Sequence, residues 1–351
     1  SLITKVRIAR SLSPSLLFIP ISLLRALSQC LRLIRKADLV VGFGGYVSGP
    51  AYFAAAISGT PFVIHEANAR PGIANRIGAY LTRFTATTHP IENGSLSSAL
   101  ISGLPLREDV VSAYRASQSD WTAARKAAKS ALGFSEAQPL IFIFGGSQGS
   151  TAINDVIADS QESLTLRGIQ ILHGVGARNE VPRSQGSYRA VNYISDMATA
   201  YLAADIVISR SGAVTCAEVN TLAKYALFIP LPIGNGEQEL NARDLVSQSR
   251  AEVISQKLFT SDWLISHIDE LLQRSAKAPV LPVPVCAWPS KSAPDRRAGM
   301  HAAWIGDGDS YPTSFSAARM GAGRFRSAKE TESVAAVVIR GSARRKRAAK
   351  S

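Results

Sequence analysis

From about residue 38 to residue 274 the chain alternates short apolar or β-branched runs with amphipathic stretches of helical length, and few folds accommodate that order. Strand-like runs occupy 38–43, 61–65, 84–88, 140–144, 169–173, 205–209, 226–230 and 251–254. Helical patterns fill 50–58, 72–82, 151–164, 196–203, 213–223, 238–250 and 261–274. A strand, a helix and a further strand in repeated succession imply parallel sheets with right-handed crossovers. The alternation breaks once, between Pro105 and Pro139, where a polar, Ala- and Lys-rich stretch intervenes. The expected architecture is therefore α/β, with two Rossmann-like domains whose parallel sheets face a cleft. A length of 351 residues at 46% hydrophobic is enough for two cores and excludes a wholly disordered chain.

The net charge of +13 is unevenly spread. From Arg274 onward there are 15 Lys and Arg against 5 Asp and Glu, so the rest of the chain is nearly balanced. A basic patch covering the whole protein is excluded, and with it the simplest nucleic-acid reading. The closing Ala343-Arg-Arg-Lys-Arg347 suits a solvated tail better than the alternative of a nucleic-acid-binding arm, and short apolar runs such as 334–339 are the only pattern there. Cys30, Cys216 and Cys286 form no C-x-x-C pair, which suits a reducing compartment and no metal knuckle. Seven basic residues precede Asp38, the first acid, around an apolar stretch at 15–24. That stretch is too short to span a bilayer, and Arg25, Arg32, Arg35 and Lys36 following it disfavour a signal peptide. Two readings stay open there: an interfacial membrane patch with basic flanks, or a core helix.

Ligands of such sheets bind beyond the carboxyl ends of the strands, so the residues after each strand are the candidates for function. The run 38–43 ends in Gly44-Gly45-Tyr46-Val47-Ser48, and 61–65 ends in His65-Glu66-Ala67-Asn68. His65 and Glu66 suit either acid–base chemistry or structural hydrogen bonding. Leu140-Ile-Phe-Ile-Phe144 feeds Gly145-Gly146-Ser147-Gln148-Gly149-Ser150, a buried strand leading through a glycine-rich turn into a helix. Backbone N–H groups and a helix dipole there make an anion cradle, without the Lys-Ser/Thr of nucleotide hydrolases or the dinucleotide spacing. A diphosphate held without hydrolysis fits. After 205–209 comes Arg210-Ser-Gly-Ala213-Val214-Thr215-Cys216-Ala217-Glu218, small residues opening a helix with a carboxylate one turn inside. Glu218 suits two ribose hydroxyls, or simply the helix dipole. Gln238 and Asn241 share a helix face and suit sugar hydroxyls, although a polar surface helix would look the same.

In this order the blocks Val41-Gly-Phe-Gly-Gly-Tyr-Val-Ser-Gly-Pro50, His65-Glu-Ala-Asn68, Gly145-Gly-Ser-Gln-Gly149, Tyr193-Ile-Ser-Asp-Met197, Arg210-Ser-Gly-Ala213 with Glu218, and Glu237-Gln-Glu-Leu-Asn-Ala242 resemble the MurG family of bacterial N-acetylglucosaminyltransferases. The likeness covers about residues 10–270. It implies a GT-B fold and inverting transfer of N-acetylglucosamine from UDP-N-acetylglucosamine to the muramoyl C4 hydroxyl of undecaprenyl-diphospho-muramoyl-pentapeptide, a step of peptidoglycan synthesis on which cell shape and division depend. No metal cluster is visible in the sequence and no cofactor is expected, so protein dipoles are expected to carry most of the stabilisation of the departing UDP. The donor-site residues the likeness implies are Asn68, Arg107, Ser147, Ile194, Ala213, Val214, Thr215, Cys216, Ala217, Glu218 and Gln238. In that picture the Ile194 backbone reads uracil and Glu218 the ribose. Ser147 and the start of the 213 helix hold the diphosphate, and Gln238 with Asn68 the sugar. The general base is not assigned.

The resemblance divides the chain into an acceptor- and membrane-facing domain (1–106), a linker and helix (107–138), a UDP-sugar domain (139–275) and an atypical basic tail expected to be disordered (276–351). Three departures stand out. The family's N-terminal glycine-rich loop with its histidine has no counterpart, Gly-Asn-Pro-x-Arg reads Gly103-Leu-Pro-Leu-Arg107, and Ala67 replaces a Gln. The family's closing helices are also unrecognisable after about residue 276. The front reads as shortened and the back as replaced, so a non-catalytic UDP-sugar-binding remnant is an alternative, as is a UDP-sugar epimerase or lipid galactosyltransferase of the same fold. The family's acceptor is lipid-embedded, which places the apolar segment at 16–24 against an anionic inner membrane surface. The expected location is peripheral, on the cytoplasmic face, with no nucleic-acid partner.

Overall fold

The computed structural model describes residues 19–45, 47–278, 300–305 and 336–341 and divides them into two compact units, one ending at Pro105 and the other beginning at Leu106, with the last two segments belonging to the first. In the first unit, helix α1 (Ile19–Ile34) carries Pro20 in its opening turn, where a missing N–H costs nothing because no intrahelical acceptor faces it. Its inward stripe is Ala26, Cys30 and Ile34, spaced by four, and these pack with Tyr52, Ala54 and Ala55 of α2 (Ser48–Ile57). The core-helix reading is thus met by one face, while Ile21, Leu23 and Leu24 stay exposed on the other. Strands β1 (Leu39–Gly42), β2 (Phe62–Glu66), β3 (Thr85–Thr87) and β4 (Leu100–Ile101) run parallel, with α3 (Ile73–Gly78) between β2 and β3. The helix expected at 72–82 is six residues long, and β4, two residues long, has no periodicity by which sequence would find it.

The second unit opens with α4 (Glu108–Ser117) and α5 (Trp121–Ala131), followed by β5 (Leu140–Phe144), α6 (Thr151–Leu166), β6 (Gln170–Gly174) and β7 (Tyr188–Val191). It continues through α7 (Met197–Ala203), β8 (Ile206–Ser209), α8 (Ala213–Thr221), β9 (Tyr225–Phe228), α9 (Glu237–Asn241), α10 (Arg243–Ser247), β10 (Ala251–Val253) and α11 (Ser261–Lys277). All six strands are parallel in the order β10-β9-β8-β5-β6-β7, the doubly wound pattern. Successive residues of β5 face opposite layers: Leu140, Phe142 and Phe144 meet one cluster, Ile141 and Ile143 the other. Burial on both faces explains the unbroken apolar run.

The segment 107–138, expected as a linker and helix, holds α4 and α5 and packs within this unit. Val110 and Tyr114 of α4 and Ala128 of α5 enter the same cluster as Phe142, Tyr201 and Val207. Asp205 fastens it: one oxygen accepts from Lys129 Nζ (3.0 Å) and Leu140 N (2.8 Å), and the other pairs with Arg125. The fully buried Lys129 is pulled down from its ordinary pKa by desolvation, and the Asp205 charge works against that. Sequence also missed β7, a four-residue edge strand. The helix expected at 238–250 is divided into α9 and α10 at buried Ala242, beside which Asn241 Nδ2 turns inward to the Ser211 carbonyl (3.2 Å).

Three elements are described within the stretch read as a disordered tail. Helix α11 extends to Lys277, and β11 (Met300–Ile305) and β12 (Ala336–Gly341) are strands. β12 lies antiparallel on β1 and β11 antiparallel on β12, completing the order β11-β12-β1-β2-β3-β4. The apolar run at 334–339 overlaps β12, which supplies the hydrogen-bonding partner that the edge of β1 requires. The remainder of the tail, like residues 1–18, lies outside the described residues.

Candidate functional site

In the second sheet the chain leaves β5 toward β6 on one side and, later, β8 toward β9 on the other, so β5 and β8 flank the topological switch point. Their carboxyl ends are level, Phe144 opposite Ser209, and the loops that follow diverge. A crevice at this position is the expected ligand site of a doubly wound sheet. It is present, with a volume of about 450 Å³, lined by Gly145, Gly146, Gly149, Ser150, Thr151 and Ala152 after β5, by Arg210, Gly212 and Thr215 after β8, and by Leu231 and Gln238 after β9.

Two helix N-termini border this crevice. Neither α6 nor α8 has a side-chain cap, and neither has an acid in its first turn, in contrast to α4 and α11. The positive ends of their dipoles are thus not neutralised by a capping side chain or an acid, and they suit an anionic ligand. Arg210 adds a fixed cation. Its Nη1 donates to the Ile229 (3.0 Å) and Pro230 (3.2 Å) carbonyls, and its Nη2 to Ser150 Oγ (2.7 Å) and Gln256 Oε1 (2.6 Å). It ties the ends of β8 and β9 to the start of α6, and burial pulls its pKa down from the ordinary value. Ser211 Oγ, next in sequence, is buried without a hydrogen-bond partner. Gln238 Oε1 accepts from Leu231 N (3.0 Å), which fixes the amide at the rim.

A second polar group lies one turn into α8. Glu218 is 4% exposed, and it accepts from Arg107 Nε (3.2 Å) on one oxygen and from Tyr201 Oη (2.9 Å) on the other. Desolvation raises its pKa, and the Arg107 charge and the Tyr201 hydrogen bond oppose the rise. Arg107 Nη2 is buried and unpartnered beside it. A carboxylate offers about four acceptor positions, so two hydroxyls of a ligand would join donors already present.

In the first unit, Glu66 organises the loop after β2. Oε1 accepts from Asn68 N (3.0 Å) and Asn68 Nδ2 (3.1 Å), and Oε2 from Gly72 N (3.0 Å) and Asn75 Nδ2 (2.9 Å). Four donors fill the carboxylate's capacity, so Glu66 shapes the loop and has no free lone pair for proton abstraction. His65 donates from Nε2 to the Gly103 carbonyl (2.9 Å), and burial lowers its pKa, keeping it neutral. Of the two readings of this pair, structural hydrogen bonding is the one that the geometry supports.

The donor-site residues named from sequence separate accordingly. Thr215 and Gln238 line the crevice, and Arg107 and Glu218 are paired. Ser147 sits exposed at the tip of the glycine-rich turn and is not among the lining residues. Within the run from Ala213 to Glu218, Ala213 and Val214 form the first turn of α8, whereas Cys216 and Ala217 pack into the core cluster. Burial pushes the Cys216 thiol up to about 12. Ile194, in the connection after β7, packs its side chain on the same cluster. Asn68 belongs to the first unit, held by Glu66. Arg210 and Ser150 stood within the blocks read from sequence but, like Thr151, were not among the donor-site residues named there. The available signal was an arginine placed immediately after a buried strand, at a loop already identified as ligand-facing.

The glycosyltransferase family 28 C-terminal domain matches residues 140–280, and its N-terminal domain matches residues 2–86. Fold and crevice thus define a family 28 glycosyltransferase of GT-B fold. Curated relatives include the UDP-N-acetylglucosamine–N-acetylmuramyl-(pentapeptide) pyrophosphoryl-undecaprenol N-acetylglucosamine transferase of Thermobifida fusca, 42% identical over 280 residues, covering 77% of this chain and 71% of the relative. The Streptomyces coelicolor enzyme of the same description is 39% identical over 276 residues, covering 76% and 73%. Among solved structures, Acinetobacter baumannii MurG is similar with a TM-score of 0.55 at 26% identity, covering 74% of each chain. The chain belongs to this MurG family of N-acetylglucosamine transferases.

Proposed function

We propose that this chain transfers N-acetylglucosamine from UDP-N-acetylglucosamine to the C4 hydroxyl of the muramoyl sugar of the lipid-linked pentapeptide acceptor, with inversion at the anomeric carbon. The observation that carries the reading is the switch-point crevice, where two uncapped helix N-termini and Arg210 converge on one anion-sized space. The acceptor oxygen attacks the anomeric carbon, its proton passes to a base, and the bond to the diphosphate breaks with its electron pair leaving on UDP. Charge developing on the departing diphosphate meets fixed N–H dipoles, which need no reorganisation at the moment of reaction. Arg107 and Glu218 are assigned to the nucleoside, and Gln238 to the sugar. Peptidoglycan assembly requires this product, so cell shape and division depend on it.

The acceptor's lipid argues for work at the cytoplasmic membrane surface. No helix among the described residues is long and apolar enough to cross a membrane. The first unit exposes Ile21, Leu23 and Leu24 on α1 among Arg25, Arg32, Arg35 and Lys36, and exposes Ile73, Ile77, Tyr80 and Phe84 among Arg70, Arg76 and Arg83. Apolar side chains set among cations suit an anionic lipid interface. Incubation with labelled UDP-N-acetylglucosamine and a lipid acceptor analogue is expected to give labelled lipid and free UDP. Binding of UDP without any transfer would select the non-catalytic reading instead. Sedimentation with anionic vesicles tests the surface, and binding unaffected by Leu24→Glu would argue against α1 as the contact.

A further inference from the structure

The glycine-rich turn after β5 has a second loop pressed against its rear, residues 175–179 after β6. The approach is backbone to backbone. A Cβ on Gly176 (φ +94°) would lie 2.2 Å from Gly149 Cα and N, and a Cβ on Gly149 (φ +77°) would lie 2.0 Å from the Val175 carbonyl oxygen. Hydrogen bonds run in the same direction. Ala177 N donates to Ser147 O (3.2 Å), and Asn179 Nδ2 donates to Gln148 O (3.1 Å) and to Val175 O (2.7 Å). Asn179 is itself fixed by its N–H, which donates to Gly176 O (3.1 Å). In a trans peptide the N–H points opposite to the C=O. Drawing the Ser147 and Gln148 carbonyls rearward therefore turns the N–H groups of Gln148 and Gly149 away from the 175–179 loop. The Gly149 N–H closes the turn on Gly146 O (3.0 Å).

We propose that Asn179 is a positioning residue for diphosphate binding: its side-chain amide ties the Gln148 carbonyl, at the rear of the glycine-rich turn, to the Val175 carbonyl of the loop behind it, and so holds in shape the turn whose backbone borders the crevice. It touches neither the crevice nor the reacting atoms, because it is absent from the lining residues. The inference rests on the donor reading given above and deepens it.

Two variants and two readouts test it. Asn179→Ala removes the donor, and Asn179→Asp keeps the shape but faces two carbonyl oxygens with a carboxylate. In the unliganded protein, hydrogen exchange of peptides covering 145–150 is expected to accelerate about tenfold in both variants, with β5 and the body of α6 unchanged. Affinity for UDP and KM for UDP-N-acetylglucosamine are expected to weaken roughly five- to tenfold, the scale of one lost hydrogen bond, while affinity for uridine, which lacks the diphosphate, stays level. Asn179→Asp should be the worse of the two. Unchanged exchange at 145–150, or equal losses for UDP and uridine, would overturn the clamp. Absence of UDP binding in the unmodified protein would defeat the donor reading, and the exchange measurement would still decide the clamp.

Discussion

His173 gives the second unit a pH dependence whose size follows from its surroundings. The side chain is fully buried in β6, with Nδ1 2.9 Å from Tyr188 Oη and Nε2 3.1 Å from Asn154 Oδ1. Asn154 Nδ2 donates to the Val175 carbonyl (3.0 Å), which orients Oδ1 as an acceptor and assigns the imidazole proton to Nε2. Protonating Nδ1 would place a charge in this buried position, and burial lowers the pKa from 6.5 to about 4. The native state thus stays neutral while the unfolded chain takes up a proton below pH 6.5, so stability falls as pH drops through that window and levels off below about 4. The full interval is worth about 3 kcal/mol, and by pH 5 about 2 kcal/mol is lost relative to pH 8. The perturbation is His173→Gln, which keeps a donor near Asn154 and does not titrate. Urea midpoints read by pulse proteolysis, following peptides of β5 and β6, should show the variant less stable at pH 8 but losing about 2 kcal/mol less than the parent between pH 8 and 5. Parallel pH profiles for parent and variant would refute the reasoning, since carboxylates common to both cancel in the difference.

Gly149→Ala drives a methyl group into the Val175 carbonyl and should abolish measurable UDP binding by calorimetry. Gly146→Ala meets open space and should cost only backbone strain, roughly 1–2 kcal/mol in the melting transition. Equal effects would contradict the packing of the two loops. Glu66→Gln sets an amide against donors that need an acceptor; a loss of roughly 1–3 kcal/mol and faster hydrogen exchange at 67–72 are expected, and an unchanged loop would remove Glu66 as its organiser. Arg107→Ala leaves the Glu218 carboxylate buried with Tyr201 alone and should destabilise the second unit by roughly 1–3 kcal/mol, less than for a fully buried pair because Arg107 is partly exposed. Adding Glu218→Gln should recover part of that loss in urea denaturation, and strict additivity of the two changes would deny their coupling.

Local patterns carried much of this protein. The run of five apolar residues at β5 and the glycines after it specify a buried strand and a tight turn wherever they occur, and β5 runs from Leu140 to Phe144 as its sequence predicts. The small residues at 211–213 likewise specify an uncapped helix start. Determinants that depend on distant parts of the chain were not legible. The segment 107–138 read as a linker and helix, and its polar, Ala-rich composition conceals a thin inward stripe; only the face of the second sheet gives Val110, Tyr114 and Ala128 a core to join. Glu218 read as a ribose acceptor or a helix-dipole acid without partners, because Arg107 and Tyr201, which pair with it, are 111 and 17 residues away.

What the sequence by itself determined was the alternation, hence parallel sheets, and the chemistry available at each strand end, because periodicity and turn composition act over a few residues. Strand order was decided only by the tertiary structure. Placing β8 beside β5 creates the switch point, brings the starts of α6 and α8 to one crevice and lets Arg210 reach Ser150 across 60 residues of chain. An anion site of this kind needs several dipoles aimed at one point, and that convergence exists only once the sheet has closed.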